Sequence, residues 1–185
     1  MTPKKIIGLV GEPACGKGSV ANLIIKHFGG TRLTTSDILR RTLKDLNIES
    51  SRDNLITLAL LVKQGFGNPV LMKAMLHDVE TVESELIIVD GIRMPGDADV
   101  FKEEYGNDFK LIYVTASQRT RYERSVLRGE KAGESDASFE EFASKELSET
   151  EKSIALVGTT ADFKIENDGS ADELEEKVKA IMAKI

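Results

Sequence analysis

Three short apolar runs stand out along the chain, and in each of them hydrophobic residues fill nearly every position. The runs occupy residues 6–10, 86–89 and 109–114 and are rich in β-branched side chains. Continuous rather than alternating hydrophobicity over this length is typical of parallel strands that helices cover on both faces. Residues 32–34 and 162–166 are weaker strand candidates, so the pattern predicts up to five strands.

Helical spacing fills the intervals between the apolar runs. Residues 36–83 predict two or three helices, with a break at the Gly-Phe-Gly-Asn-Pro segment, 65–69. Capping-box patterns (Ser-x-x-Glu) at 138–141 and 170–173 predict two later helix starts. Strands that alternate with helices predict βαβ units around a parallel sheet, and ligands of such sheets bind beyond the carboxyl ends of the strands. The first helix has a clear apolar face, formed by Val20, Leu23, Ile24 and Phe28.

Composition narrows the range of functions. The chain has 185 residues, which suits one domain, and 25 Lys and Arg against 31 Asp and Glu give a net charge of −6. That balance argues against a broad basic face for nucleic acid or for a membrane surface. A single cysteine excludes an internal disulfide, and the first apolar run is too short for the core of a signal peptide. We therefore expect a cytoplasmic monomer or homodimer with no nucleic-acid or membrane partner.

The clearest chemical signal follows the first predicted strand, where residues 11–19 read Gly-Glu-Pro-Ala-Cys-Gly-Lys-Gly-Ser. Glycines let backbone N–H groups turn toward phosphate oxygens, and the helix N-terminus adds partial positive charge. Lys17 supplies a full positive charge and is predicted to be catalytic. Cys15 lies in the variable middle of the loop, either as a redox group or as a small residue where only the backbone matters. The predicted ATP-binding residues of this segment are Gly11, Ala14, Cys15, Gly16, Lys17, Gly18 and Ser19.

The loop departs from the strict phosphate-loop pattern directly after the lysine, where Gly18 replaces the usual Ser or Thr and Ser19 follows. Gly-Lys-Gly-Ser, with a proline two residues after the first glycine, resembles the loop of adenylate-kinase-like nucleoside monophosphate kinases. The resemblance implies that Ser19 serves Mg²⁺ and the phosphates of ATP, directly or through water.

A second segment, residues 34–41, follows the weak second strand and reads Thr-Thr-Ser-Asp-Ile-Leu-Arg-Arg. By itself it predicts a helix start with Thr35 or Ser36 as N-cap and Asp37 in the first turn, and its arginines would then be solvated. The spacing of Thr35, Asp37 and Arg40 resembles the monophosphate-binding segment of the same kinases. The resemblance implies that Thr35 and Arg40 meet the acceptor, with Asp37 beside them.

A third segment, Asp-Gly-Ile-Arg-Met-Pro at residues 90–95, follows the predicted strand 86–89. An aspartate there is placed to hold Mg²⁺ or its water beside the phosphate loop; alternatively, Asp90 caps the next helix. Adenylate kinases carry a similar Asp-Gly-x-Pro-Arg, with the arginine one residue later. The resemblance implies that Arg93 meets the acceptor phosphate. Asp90 and Arg93 are thus predicted to be catalytic, and Asp90 and Ser19 to hold the metal.

All nine arginines lie in the first 128 residues, and their planar guanidinium groups suit phosphate better than lysine does. Arg121, Arg124 and Arg128 share a helix face after the fourth strand. That face is either solvated or part of a short lid, residues 118–136, whose arginines neutralise the transferred phosphoryl group; the resemblance favours the lid. Asn167, after the last strand, is either a turn residue or a neighbour of the adenine of ATP.

Along its whole length the chain resembles the nucleoside monophosphate kinase branch of P-loop kinases. Two of its segments, Asp-Gly-Ile-Arg at 90–93 and Thr-Arg-Tyr-Glu-Arg at 120–124, are also similar to a nucleotide-kinase-like group that resembles dephospho-coenzyme A kinases. We therefore expect one α/β domain over residues 1–185, a three-layer α/β/α P-loop NTPase fold with a five-stranded parallel sheet in the order 2-3-1-4-5. Residues 36–83 would form the helical acceptor-binding region.

The expected activity is transfer of the γ-phosphoryl group of ATP, with Mg²⁺, to a small nucleotide-like acceptor, chiefly a nucleoside or deoxynucleoside monophosphate. Two alternatives stay open. One is a dephospho-coenzyme A kinase or another small-molecule P-loop kinase, in which Asp37 or Asp90 would act as base toward a hydroxyl. The other is a nucleotide-binding regulatory protein without turnover, against which Lys17, Asp90 and Arg93 together count.

Overall fold

Five parallel strands form the sheet in the computed structural model, which describes residues 4–128, 138–145 and 149–185. The strands are β1 (Lys5–Val10), β2 (Thr31–Thr34), β3 (Leu86–Asp90), β4 (Phe109–Thr115) and β5 (Phe163–Glu166). They lie side by side in the order β2-β3-β1-β4-β5, and every pairing is parallel. This confirms the predicted order 2-3-1-4-5.

Helices join the consecutive strands, and one more helix follows β5. They are α1 (Lys17–Phe28), α2 (Thr35–Asp45), α3 (Arg52–Phe66), α4 (Val70–Thr81), α5 (Asp99–Tyr105), α6 (Gln118–Arg128), α7 (Phe139–Lys145), α8 (Glu149–Gly158) and α9 (Ala171–Met182), with a 3-10 turn at Gly106–Asp108. Three of them lie between β2 and β3, as predicted for residues 36–83. The reciprocal bonds of both capping boxes, at 138–141 and 170–173, are present.

Within the described ranges, none of the helices taken alone is long and apolar enough to cross a membrane. The helices α3 and α4 meet the requirements of length and composition only as a pair, which is bent by 100°.

The sheet is buried on both faces, as its continuous apolar strands predict. In β1, Ile6 and Val10 enter a core formed with α2, α4, α5 and α8, whereas Ile7 and Leu9 enter a second core formed with α1 and α9. Because successive side chains of a strand point to opposite faces, an all-apolar strand of this kind needs a helical layer on each side. The predicted three-layer α/β/α architecture is confirmed.

The start of α2 differs from the prediction. Thr34 ends β2 with an extended backbone (φ −127°, ψ 147°), and α2 begins at the next residue. The Thr34 hydroxyl accepts a hydrogen bond from the Asp37 N–H at 3.1 Å, so Thr34 is the N-cap in place of Thr35 or Ser36. Three consecutive hydroxyl residues are equivalent in the sequence, and the end of the strand selects the first of them.

Candidate functional site

The carboxyl end of β1 leads into the phosphate loop, residues 11–16, which ends at the first turn of α1. Gly16 is the N-cap of α1 and has a left-handed backbone (φ 103°, ψ 19°) that strongly favours glycine. A Cβ at Gly16 would also collide with the amide group of Asn167. Because glycine has no side chain to cap the helix, the first-turn N–H groups of α1 stay available to an anion.

Lys17 folds back over the loop that precedes it. Its ammonium group donates to the carbonyl oxygens of Gly11 at 2.6 Å and of Glu12 at 3.1 Å. Ser19 lies on the first turn of α1 and is exposed. The lysine charge is thereby held at the mouth of the loop, where it can exchange carbonyl oxygens for phosphate oxygens.

A cleft of about 630 Å³ opens above the loop. Four arginines from different parts of the chain line it: Arg32 of β2, Arg40 of α2, Arg93 after β3 and Arg124 of α6. The predicted site residues that line this cleft are Gly11, Ala14, Gly16, Lys17, Gly18, Ser19, Arg40, Asp90, Arg93 and Arg124.

An adjoining space of about 470 Å³ extends the cleft toward α2. It shares Arg40, Asp90 and Arg93 with the first space and adds Thr35 and Asp37. The donor side predicted around the phosphate loop and the acceptor side predicted around α2 therefore correspond to two adjoining spaces, which share lining residues.

Asp90 ends β3 at the floor of the cleft and forms an ion pair with Arg32 of the neighbouring strand β2. The strands pair with Thr34 opposite Asp90, so Arg32 comes two residues before the end of its strand and on the same face. Asp90 is not a helix cap, because the next helix starts only at Asp99. Arg32 was not among the predicted site residues; its one signal in the sequence is a charged residue inside a short strand.

The turn after β3 presents Arg93 to the cleft. Asp97 is 2% exposed and accepts hydrogen bonds from the N–H groups of Arg93 and Met94, both at 2.9 Å. Burial raises the pKa of Asp97, and these two backbone hydrogen bonds oppose the shift. Gly91 (φ 143°) lets the turn pack on Thr35, because a Cβ there would lie 2.7 Å from the Thr35 hydroxyl. Asp97 fixes the turn and was not predicted either.

The predicted lid arginines divide between the interior and the cleft. Arg121 is 7% exposed, donates from Nε to a backbone carbonyl at 3.0 Å and lies 6.0 Å from the Phe142 ring of α7. Arg121 is thus buried beside α7, and its predicted contact with the transferred phosphoryl group stays a prediction. Arg124 lines the cleft, and its Nη1 is buried without a hydrogen-bond partner in the part of the chain that the structure describes. The Arg128 side chain and residues 129–136 lie outside the described residues.

Asn167 clamps the phosphate loop. It is 5% exposed, its Nδ2 donates to the Cys15 carbonyl at 2.8 Å, and its N–H donates to the Thr115 carbonyl at 2.8 Å. The loop thus engages the Nδ2 group of Asn167, and the expected adenine contact stays a prediction. Cys15 is fully buried, and burial raises the pKa of its thiol, so the small-residue interpretation is favoured over a redox group. Cys15 can meet a ligand only through its backbone.

We expect Asn167→Ala to weaken nucleotide binding through the loop. The change leaves the Cys15 carbonyl without its donor, which should cost about 1–3 kcal/mol in the free energy of unfolding. Calorimetric titration with Mg·ATP and thermal melting should therefore show parallel losses. Asn107→Ala, at an exposed asparagine before the amino end of β4, is the control. Lower affinity with native stability would contradict the clamp and make Asn167 a direct ligand.

Tyr113 of β4 anchors the other end of the loop. Its hydroxyl donates to one carboxylate oxygen of Glu12, and the second oxygen is buried without a partner among the described residues. Burial and this hydrogen bond raise the pKa of Tyr113 to about 12, so the donor proton stays in place at neutral pH. The acidic side chain is thereby held away from the phosphate side of its own loop.

Tyr113→Phe should destabilise the protein by about 1–3 kcal/mol, because it strips a buried carboxylate of its hydrogen-bond donor. Chemical denaturation measures the loss. Adding Glu12→Gln to this variant should restore part of it, since a neutral amide costs less to bury than a charge. Tyr105→Phe is the matched control, because Tyr105 has no hydrogen-bond partner in the described ranges. Equal losses in the two tyrosine variants would argue against the anchor.

A loop of this sequence between β1 and α1 of a sheet ordered 2-3-1-4-5 defines a P-loop NTPase of kinase-like fold. Residues 10–143 match the family model described as AAA domain. A UPF0200 protein of Hyperthermus butylicus is 30% identical over 180 residues, which cover 97% of this chain and 94% of that protein. A UPF0200/UPF0201 protein of Archaeoglobus fulgidus is 27% identical over 183 residues, or 98% of this chain, which spans 56% of that relative's length. The chain belongs to the AAA domain family and to the UPF0200 proteins.

Two solved structures share the architecture. Shikimate kinase from Bacteroides thetaiotaomicron matches with a TM-score of 0.67 at 13% identity, over 97% of each chain. Shikimate kinase from Acinetobacter baumannii in complex with shikimate matches with a TM-score of 0.60 at 14% identity, over 99% of this chain and 95% of that one. Likeness at such low identity establishes the fold and leaves the substrate to be argued from the site.

Proposed function

We propose that this protein is a phosphotransferase that moves the γ-phosphoryl group of Mg·ATP to a small phosphate-bearing acceptor, with nucleoside and deoxynucleoside monophosphates as the leading candidates. The observation that carries the proposal is the gathering of cations around one cleft in a protein of net charge −6. Lys17 and Arg124 line its loop side, and Arg40 and Arg93 line the side toward α2. Phosphoryl transfer needs positive charge on both sides of the transferred group, whereas simple nucleotide binding needs it on one.

The residues around the loop fit a nucleotide with its Mg²⁺. The buried Nη1 of Arg124 lacks an acceptor among the described residues, and a phosphate oxygen is an acceptor of the right charge. Ser19 and Asp90 offer the hydroxyl and carboxylate oxygens that Mg²⁺ prefers. When bound there, the metal would neutralise charge on the phosphates.

The side chains would divide the work by position. Lys17 would exchange its two carbonyl partners for the outer phosphates, and Arg124 would cover the transferred group from α6 and help to exclude water. Arg40 and Arg93 would orient the acceptor. Arg40 is already held by Asp37, with 3.1 Å between Nη1 and Oδ1. Between two sites arranged in this way, transfer requires mainly positioning and charge stabilisation, and a phosphate dianion attacks without a general base.

A hydroxyl acceptor, as in a dephospho-coenzyme A kinase, is the alternative. Such an acceptor needs a base to take its proton, and among the residues that the structure describes, the carboxylates lining the cleft are Asp37 and Asp90. Each is already paired with an arginine, Asp37 with Arg40 and Asp90 with Arg32. This pairing favours the phosphate acceptor, which needs neither carboxylate as a base.

Acceptor-dependent formation of ADP tests the proposal. The protein is incubated with Mg·ATP and, in separate reactions, with each nucleoside monophosphate, each deoxynucleoside monophosphate, dephospho-coenzyme A and shikimate, and ADP and phosphorylated acceptor are both quantified. Equal amounts of ADP and a nucleoside diphosphate support the proposal. Product from a hydroxyl acceptor alone supports the alternative. ATP binding without product from any acceptor favours a regulatory nucleotide-binding protein.

A further inference from the structure

Arg32 lies at the floor of the cleft, at a position where the sequence motifs predicted no arginine. Its guanidinium pairs with the Asp90 carboxylate, and a Cβ at Gly18 would lie 3.8 and 3.9 Å from its two terminal nitrogens. Ser19 follows Gly18 on the first turn of α1. The guanidinium therefore contacts both proposed metal ligands or their surroundings. It lies against the helix turn that carries Ser19, and it pairs with the carboxylate of Asp90.

The electrostatics of this position favour an additional anion. The N-terminus of α1 carries partial positive charge, and Lys17 adds a full charge to the same cleft. Arg32 is held in this positive field by its pairing with Asp90. Its Nε is buried and has no hydrogen-bond partner in the described ranges. A buried donor on a charged group, left unsatisfied beside a phosphate loop, matches the acceptor oxygens of a phosphate.

We propose that Arg32 is an exchangeable counter-ion of Asp90. While the loop is empty, Arg32 neutralises the carboxylate; when a metal-bound nucleotide enters, Arg32 releases Asp90 to the divalent cation and turns to the phosphates. This inference rests on the proposed nucleotide site. It goes beyond that site because it makes the Arg32 side chain compete with the metal for the Asp90 carboxylate. Asp90 keeps a cationic partner at every stage, so a partly buried carboxylate is never left uncompensated.

The exchange has a thermodynamic signature that does not depend on turnover. Without Arg32 the metal meets no competitor at Asp90, whereas a nucleotide without metal meets an Asp90 carboxylate that has lost its counter-ion and repels the phosphates. The ratio of nucleotide affinity in Mg²⁺ to that in EDTA should therefore rise in Arg32→Gln. In Asp90→Asn the metal loses its ligand and Arg32 is freed for the phosphates, so the same ratio should fall.

Calorimetric titration of the full chain with a non-hydrolysable ATP analogue, in Mg²⁺ and in EDTA, measures the ratio, and Mn²⁺ titration followed by electron paramagnetic resonance measures the metal directly. We expect the ratio to rise about tenfold in Arg32→Gln, the scale of one charge-assisted hydrogen bond. Arg32→Lys keeps a cation that reaches less far, and its rise should be smaller. Arg52→Gln, at an exposed arginine on the first turn of α3, is the matched control and should leave the ratio unchanged.

An unchanged or lower ratio in folded Arg32→Gln would overturn this inference and leave the proposed function standing, provided that the native protein binds the analogue. Failure of the native protein to bind the analogue in either buffer would overturn both. If Arg32→Gln does not fold, Arg32→Lys and Asp90→Asn carry the same test. Their ratios must move in opposite directions, and a shift in the same direction would rule out the exchange.

Discussion

Replacing Lys17 by methionine is expected to abolish phosphoryl transfer, with a fall in kcat/KM on the order of 10³-fold or more. Methionine keeps an unbranched stem of similar length and removes the charge. In the empty loop the ammonium group donates to the carbonyls of Gly11 and Glu12. In the loaded loop it would face the outer phosphates, where negative charge must be stabilised during transfer. An ADP assay with the best acceptor from the panel measures the loss.

The melting temperature of Lys17→Met should stay close to the native value, because the buried face of α1 consists of Val20, Ala21 and Ile24. Lys26→Met is the matched control on the same helix. Lys26 lies in the last turn of α1, is 62% exposed and pairs with Glu175, so its removal should leave kcat/KM native. Full activity in Lys17→Met would exclude the phosphate loop from the reaction.

The fold was predictable because its determinants are local. Each central strand is apolar on both faces, and β1 shows the result: Ile6 and Ile7 are neighbours in the chain and enter opposite cores. The phosphate loop was predictable for a related reason. Its shape requires a left-handed residue at Gly16, followed at once by a helix, and such a backbone leaves its mark in the sequence as glycine.

The missed contacts depend on residues that are far apart in the chain. Arg32 meets Asp90 only because β2 pairs with β3 in the register that sets Thr34 opposite Asp90. Asn167 reaches the Cys15 carbonyl across 152 positions. The residue types alone do not indicate such partners. From the sequence, Arg32 can be read simply as a strand residue and Asn167 simply as a turn residue. The sequence could therefore indicate which segments reach the cleft, but not which side chains hold one another there.

The helix α6, which was predicted to be part of a lid, shows the same limit at shorter range. Arg121 and Arg124 share one face of α6 by their spacing, and that much was predicted correctly. Which of them is buried depends on α7, whose Phe142 lies beside Arg121. Arg124 is left to the cleft. One helix face thus carries two arginines in different surroundings, and the packing of a later helix separates them.

Arg124→Ala is therefore expected to lower activity, whereas Arg121→Ala is expected to lower stability. Loss of Arg124 should lower kcat/KM by about 10²–10³-fold, the usual cost of removing one preorganised donor from developing charge, with a near-native melting temperature. Loss of Arg121 should lower the free energy of unfolding by about 1–3 kcal/mol, because a buried guanidinium and its hydrogen bond to the chain disappear together. The two variants are matched in helix, residue type and substitution, so each serves as the control of the other.

The division of the Arg124 loss between kcat and nucleotide affinity then identifies its role. If Arg124 acts mainly on the transferred group, kcat should fall while the Kd for Mg·ATP changes little, since only interactions stronger in the transition state accelerate the chemical step. If its unpaired Nη1 already binds a phosphate in the ground state, the Kd should rise along with the loss of rate. Equal loss of activity in both variants at native stability would mean that Arg121 also turns to the cleft, and the separation by α7 would be wrong. A stability loss confined to Arg124→Ala would place its guanidinium in the packing of α6 and remove it from the transfer.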